Sequence, residues 1–516
     1  MSAATGLSRI TGYVRTMVQA SVLGTTVVAD AYTLSNTLPN QIYELFMGGL
    51  LSSIFIPLLV ERLSRHGEED ARRLTNALLT LVVPTLTTVA LLGVIFAGPI
   101  VDLSASWRNS ENLSAEEARQ ARELAILMFR IFAIKILFYG IGAVAMGVLN
   151  SHRRFFLPTF APVLNNLIVI ASFVGFALLA DSNPSLAIYV LAGGTALGVA
   201  VMSLILVPPM WRLGYRPRIV TGHPALYSAA KLAAPMLVFV ASSVGVQFMA
   251  NRIGSQFGGV ANLWYAFMVF TLPYGVFVVS IATALMPELS ERYARGDADG
   301  YRDTLSFGLR TMTFIVVPAS VGMVALAEPI VGLLYERGNF GPQDTESVAR
   351  LLAAYGVGLL GYAAYFVLVR SFYARQNTKT PALLNVGLLA VYVVLAYALA
   401  ATPLGLAGVA LAFSCAYAVL AAALLLAMRR ELKRLDGRRM ASSLARILVA
   451  GAVMYLIATL GVAFVGAGGE LLERLLIVVG LGGVSLGAYL AVAHLLGTEE
   501  LRSATSLLKR RATPGG

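Results

Sequence analysis

Apolar runs close to 20 residues long recur along almost the whole chain, and no other feature limits its fold so tightly. A helix needs about 20 residues to cross a hydrocarbon layer about 30 Å thick, and each crossing must satisfy its own backbone hydrogen bonds. Hydrophobic residues make up 58% of the 516 residues and charged residues 13%, against about 45–50% and about 25% in soluble domains. A water-soluble core cannot absorb that excess. The runs predict an all-α polytopic membrane protein with about fourteen transmembrane helices. Their approximate spans are residues 10–34, 40–60, 74–99, 121–149, 156–180, 186–210, 230–256, 259–289, 305–327, 348–373, 381–401, 405–428, 441–465 and 472–496. Arg15 and Gln19 interrupt the first run and further spans follow at once, which argues against a cleaved signal peptide. The single cysteine, Cys415, lies inside a predicted helix, so no intramolecular disulfide can form.

The formal net charge of +12 is distributed as a topology signal rather than as a nucleic-acid surface. With a cytoplasmic N-terminus, the inner connections and the C-terminal tail hold 25 Lys and Arg residues and the outer connections five. Both termini are therefore expected on the cytoplasmic side.

The chain also repeats itself. "IFIPLLVERLSR" at 54–65 returns as "ALMPELSERYAR" at 284–295, an offset of 230 residues, and at that offset Pro99, Ile100 and Val101 match Pro329, Ile330 and Val331. "LNSHRRFFLPTFAPVLNN" at 149–166 and "FYARQNTKTPALLNV" at 372–386 share a basic turn, a proline and a helix bearing asparagine. Six spans separate equivalent positions, so the two halves keep one orientation, as in transporters built from parallel repeats. This gives an N-terminal lobe at 1–220, a C-terminal lobe at 221–436, two extra spans at 437–498 and a basic cytoplasmic tail at 499–516.

Polar groups fall where lipid would not tolerate them. Ser8, Thr11, Arg15, Gln19, Thr26, Asp30, Thr33 and Thr37 are spaced by three, four or seven residues and form one stripe on the first predicted span. A charge at bilayer depth costs at least about 2.5 kcal/mol, so the stripe should face water or protein. Small polar residues such as Ser8, Thr11 and Thr33 also serve plain helix packing; Arg15 and Asp30 do not fit that reading. Gln41, Glu44, Gly48 and Ser52 continue the pattern on the second span, and Ser243, Gln247, Asn251 and Ser255, beside Arg252, on the seventh. Arg130, Lys135 and Arg370 are expected to snorkel from helix ends into the headgroups.

Signals of soluble enzymes fail. Gly356, Gly358 and Gly361 spell GxGxxG inside an apolar span, with no preceding strand, so they read as a close helix contact. His66, His152, His223 and His494 lack metal-ligand spacing. No Walker loop or nucleophile elbow is present, so the chain is not expected to be an enzyme or to need a cofactor. The sequence leaves the driving force open between Na⁺, H⁺ and the membrane potential.

"SRITGYVR" at 8–15, "ADAY" at 29–32, "LPN" at 38–40, "NSHRRFFLPTFAPVLNN" at 150–166 and "FYARQNTKTP" at 372–381 together resemble the MurJ, or MviN, family of lipid II flippases. "YELFMGGLLSS" at 43–53 resembles its actinobacterial branch most. The resemblance implies an exporter of the multidrug/oligosaccharidyl-lipid/polysaccharide superfamily in the bacterial cytoplasmic membrane, carrying undecaprenyl-pyrophosphate-linked peptidoglycan precursor outward by alternating access. It also implies that the last two spans form a groove for the lipid tail. Residue by residue, Arg9, Arg15 and Asp30 match functionally important charges of the family. Thr16, Tyr43, Met268, Thr271 and Asn377 depart from its Gram-negative pattern, where charged residues are usual, and the last departure weakens a family-type sodium site. Glu44 and Arg252 could supply missing charge, and Gln19, Tyr43, Gln247 and Asn251 complete the candidate substrate cavity.

Lipid II and membrane lipids are then the expected ligands, with cytoplasmic regulators and wall-synthesis proteins as partners and no nucleic acid. Guanidinium groups suit its pyrophosphate through paired donors. Rival readings are a flippase for another polyprenyl-linked glycan, a cation-coupled drug exporter and a non-transporting scaffold for wall synthesis.

Overall fold

The computed structural model describes residues 2–46, 55–107, 110, 113–433 and 436–502, with backbone alone for 2–3, 42–43, 45–46 and 227–236. The predicted positions Gly48 and Ser52 lie outside the described residues, as does the side chain of Tyr43. Among the described residues the regular structure is helical throughout. Two compact units divide the chain: residues 1–261 with 337–341, and residues 262–336 with 342–516.

In the first unit the helices are α1 (Ser2–Leu23), α2 (Val27–Phe46), α3 (Ile56–Arg65), α4 (Gly67–Ile95), α5 (Ala97–Ser104) and α6 (Ala115–Ala133), followed by α7 (Lys135–Ser151), α8 (Phe156–Leu179), α9 (Pro184–Leu204), α10 (Val207–Arg212) and α11 (Pro224–Gly254). In the second they are α12 (Val260–Pro273, opening on the last residues of the first unit), α13 (Val279–Ala294), α14 (Ala298–Ala325), α15 (Ala327–Tyr335), α16 (Pro342–Val357) and α17 (Leu359–Ala374). Then come α18 (Lys379–Ala400), α19 (Leu406–Leu432), α20 (Gly437–Val465), α21 (Leu471–Leu476) and α22 (Gly482–Leu495).

Eleven helical stretches among the described residues are long and apolar enough to cross a membrane, or twelve if α16 and α17, bent by 47°, form one span. They correspond to predicted spans three to fourteen. The first two predicted spans need correction. Their boundary does not fall at residues 35–39, because α2 runs from Val27 to Phe46 through all of them, Pro39 included. The chain turns instead at Gly24–Thr26, where Gly24 adopts φ +58° and the Thr26 hydroxyl accepts from the Ala29 N–H at 3.4 Å. Asp30, Thr33 and Thr37 therefore sit on α2 with Gln41 and Glu44, and the single stripe is two stripes on two helices.

Local geometry repeats where the sequence does. Phe96 breaks α4 from α5 at φ −96°, ψ 23°, and Leu326 breaks α14 from α15 at φ −112°, ψ 23°. Arg153 and Gln376, both at φ 59°, make equivalent turns. The Arg154 N–H donates to Leu149 O at 2.8 Å and the Asn377 N–H to Phe372 O at 3.0 Å, so each turn satisfies the last carbonyls of the helix before it.

The three glycines of the apparent nucleotide motif do pack helices together. A Cβ on Gly358 would fall 2.3 Å from the Ser414 hydroxyl, and one on Gly361 would fall 2.9 Å from the Ala418 backbone, so α17 and α19 approach too closely for a side chain.

A five-residue strap, 337–341, joins the first unit although the residues on both sides of it belong to the second. The Asn339 N–H donates to Ser21 O at 2.8 Å and its side-chain amide to Val22 O at 2.7 Å, satisfying carbonyls in the last turn of α1. Gly24 and Gly338 make the fit possible: a Cβ on either would lie 2.4 Å from a carbonyl oxygen, of Asn339 and Ser21 respectively.

Candidate functional site

Two cations of the first unit, Arg15 and Lys135, lie where α1, α2, α7 and α8 supply polar side chains. Ser8, Thr11, Arg15 and Gln19 fall on one face of α1, which packs on α8. Asn166 of α8 organises that face: its amide nitrogen donates to Thr11 Oγ1 at 3.0 Å and Ser8 O at 3.3 Å. Its oxygen is thereby aimed at Arg15, which donates one N–H to it at 3.1 Å. A guanidinium carries five donors, and among the described residues the others of Arg15 have no partner. Gln19 is buried and donates to Thr33 of α2 at 3.3 Å. Arg9 lies on another face of α1 and is exposed.

Lys135 was expected to snorkel and does not. It is fully buried at the break between α6 and α7, with its ammonium donating to Asn36 Oδ1 and lying 4.3 Å from the centre of the Phe132 ring. One turn along each helix, Tyr139 donates to Asn40 Oδ1 at 2.7 Å. Lys135 and Arg15 are within electrostatic reach of each other. Two cations thus share a region lined by amides, with no carboxylate paired to either among the described residues. A snorkelling lysine needs a route to water along its stem; the α6–α7 break instead turns this one inward.

Other predicted positions are committed locally. Asp30 is buried and accepts from the Ala261 N–H at 2.8 Å, so it caps the first turn of α12. Arg252 donates to the carbonyls of Asp102 at 3.2 Å and Leu103 at 2.5 Å, closing the end of α5. Gln247 donates to Asn251 at 3.2 Å, while the Asn251 amide nitrogen is buried with no partner among the described residues. The same holds for the Gln41 nitrogen. Gln41 lines an apolar cavity of about 410 Å³ with Phe96, Leu103, Phe129 and Phe248. Glu44 is exposed on α2.

The second unit contains no matching cluster of buried cations among the residues predicted as sites. Beside Met268 and Thr271 in sequence, Phe267, Phe270 and Tyr274 join an aromatic assembly. Tyr274 and Tyr362 are 4.9 Å apart, Tyr362 and Tyr417 4.8 Å, and Phe413 and Tyr417 4.4 Å. The half-buried Arg370 guanidinium sits 4.6 Å from the Phe366 ring, a cation–π contact one turn back on the same helix.

A polytopic helical chain with an internal repeat, and with uncompensated cations held inside one of its halves, defines the class: a multi-pass membrane carrier suited to an anionic cargo. The profile of the family described as lipid II flippase MurJ matches residues 19–480. A probable lipid II flippase MurJ of Vibrio cholerae is 30% identical over 98% of this chain and 97% of its own length. The lipid II flippase MurJ of Burkholderia cenocepacia is 30% identical over 76% and 75%. In fold, the chain is similar to a lipid II flippase MurJ solved in an inward closed conformation, with a TM-score of 0.75 at 24% identity over 95% of this chain and 98% of that one. An inward-facing MATE family multidrug transporter of the MOP superfamily is also similar, with a TM-score of 0.59 at 16% identity over 84% and 95%. The chain belongs to the lipid II flippase MurJ family, and it is a multi-pass inner-membrane protein.

Proposed function

We propose that this chain is a lipid II flippase that passes the undecaprenyl-pyrophosphate-linked precursor from the inner to the outer leaflet by alternating access. It performs no covalent chemistry. The observation that carries the reading is the arrangement of Arg15: Asn166 fixes its orientation with one hydrogen bond, and among the described residues its remaining donors are uncommitted and no carboxylate pairs with the buried Lys135 nearby. Paired N–H donors match phosphate oxygens in a way that an ammonium does not. The two cations lower the cost of drawing a pyrophosphate into the membrane, and Arg9, exposed on another face of α1, adds positive charge outside that pair. Asp30 supports the site by holding backbone, and Arg252 by holding α5, while Gln19, Gln247 and Asn251 offer neutral donors. Glu44 and Tyr43 are further candidates by their place near the sequence's second apolar run. An ion gradient or the membrane potential resets the carrier. Both termini face the cytoplasm, where regulatory proteins and enzymes of wall synthesis have access to the basic loops.

The test is complementation of a flippase-depleted strain, with lipid II measured on each membrane face and membrane abundance measured in parallel. Arg15→Ala and Arg15→Gln should fail, and Arg15→Lys should rescue poorly, all at near wild-type abundance. Full growth of Arg15→Ala would remove the phosphate role; loss of the protein from the membrane would reassign Arg15 to folding. Orientation is tested in a Cys415→Ala background. Cysteines at Arg65 and Arg295 should be shielded from an impermeant thiol reagent in intact cells, and one at Gly469 should label.

A further inference from the structure

At one end of the second unit, α19 and α20 leave a slot between them. α20 packs on α14 and α22, whereas α19 packs on α16, α17 and α18. The resulting groove has a volume of about 300 Å³, and Leu309, Leu425, Leu426, Met440 and Leu444 make most of its wall. Leu426 is 57% exposed and Leu444 38%, so the slot opens onto the outer, lipid-facing surface of the helices. The mouth is open at Gly437, where a Cβ would meet no atom within 4 Å.

The floor is polar and already neutralised. Arg310 is 7% exposed and donates to Glu499 at 2.8 Å and Glu500 at 3.1 Å. Arg439 pairs with the same Glu499 at 2.8 Å, and the Ser443 hydroxyl donates to Glu500 at 2.9 Å. Two arginines thus balance two glutamates, and the Arg310 Nε remains buried without a partner. The rim is not neutralised. Arg429 lines the slot, and Arg430, Lys433 and Arg438 lie close to it in the chain. Among the described residues none of these four makes an ion pair or a hydrogen bond.

An apolar slot open to lipid, with surplus positive charge confined to its mouth, is complementary to an acyl chain attached to an anionic headgroup. We infer that the groove between α14, α19 and α20 binds an anionic glycerophospholipid, one acyl chain in the slot and the phosphate against Arg429. The bound lipid braces α19 against α20 and so fastens the last helices to the rest of their unit. The site shares α20 with the tail groove expected of the last two spans but takes its other walls from α14 and α19, with no residue of α22.

The experiment uses the full-length protein in detergent with an equimolar mixture of dioleoyl-phosphatidylglycerol and dioleoyl-phosphatidylcholine, reading retained lipid by native mass spectrometry. Wild type should retain the anionic lipid preferentially. Arg429→Gln should lower that preference about fivefold, the effect of one basic residue at an anionic surface. Ala441→Trp, which fills the slot, should lower retention of both lipids, while Leu460→Trp, on a lipid-facing part of α20 away from the slot, should change nothing and shows that the helix tolerates the added bulk. Equal retention of the two lipids by wild type, or a preference that survives both slot variants, would overturn the proposal. So would displacement of phosphatidylglycerol by a polyprenyl phosphate that loses its own binding in Ala441→Trp, which would assign the slot to the carrier lipid.

Discussion

Replacing Lys135 with methionine separates a functional cation from a structural one. The substitution keeps an unbranched stem of similar length in a position that is fully buried. It loses the charge-assisted hydrogen bond to Asn36 and leaves that carbonyl oxygen unpartnered, at about 1–3 kcal/mol. It also loses the contact with the Phe132 ring, worth about 2 kcal/mol where desolvated. Against this stands relief of the several kcal/mol needed to bury an ammonium, a term that a neutral partner such as Asn36 offsets poorly. The two sides nearly cancel, and Lys135→Met should unfold within about 2 kcal/mol of wild type. Phe132→Ala, which removes the packing of a fully buried ring together with its contact to Lys135, should cost at least about 3–5 kcal/mol. Thermal unfolding of the purified variants gives the first number and complementation of a flippase-depleted strain the second. The reasoning requires near-normal stability with transport reduced at least about tenfold. Retention of full transport would show that the buried charge has no part in carrying an anion. A loss of stability as large as that of Phe132→Ala would show that Lys135 holds the fold.

Gly358→Ala should overpack the contact of α17 with α19 and cost about 1–3 kcal/mol, since its Cβ would lie 2.3 Å from Ser414. Gly387→Ala, with no atom within 4 Å of the added group, is the matched control, and equal unfolding temperatures for the two would refute the packing account. Gly24→Ala should lower stability by about 1–2 kcal/mol from its left-handed backbone alone and further by pushing the strap away, detectable as faster hydrogen exchange at Asn339. The Asp297 carboxyl accepts the Gly300 N–H at 2.8 Å and pairs with Arg292 at 3.0 Å, which together hold it below its ordinary value of 3.8. Its contribution is therefore complete above that value and is lost as the pH falls through the lower value of the folded state. Asp297→Asn should flatten the acid limb of the unfolding-temperature profile and leave its alkaline limb unchanged; a parallel shift of both limbs would contradict the assignment.

Helix content, the repeat and the glycine contact between α17 and α19 were legible because each depends on composition or spacing along a single stretch of chain. Apolar length finds a span even when its neighbours are unknown, and the Arg153 and Gln376 turns follow basic motifs that the sequence already aligned. The first boundary was misplaced because apolar run length does not show where a helix turns, while the signal that mattered was Gly24, required by a carbonyl 315 residues away, that of Asn339. Lys135 was missed for a related reason. Its position looks like a helix end only along the chain, and nothing local reveals that Asn36 and Phe132 close around it. Arg310 gave no signal at all, since the glutamates that neutralise it arrive only with the end of α22.

The strap has a consequence for synthesis. Residues 1–261 contain nearly all of the first unit, but the last carbonyls of α1 wait for Asn339, which emerges only after residues 262–336 of the second. At about 5–20 residues per second, that delay is roughly 4–16 s. During it the turn at Gly24 stands open on a unit that is otherwise complete, so a ribosome stalled before residue 337 would leave a folded half with one unsealed helix end for quality-control proteases to find.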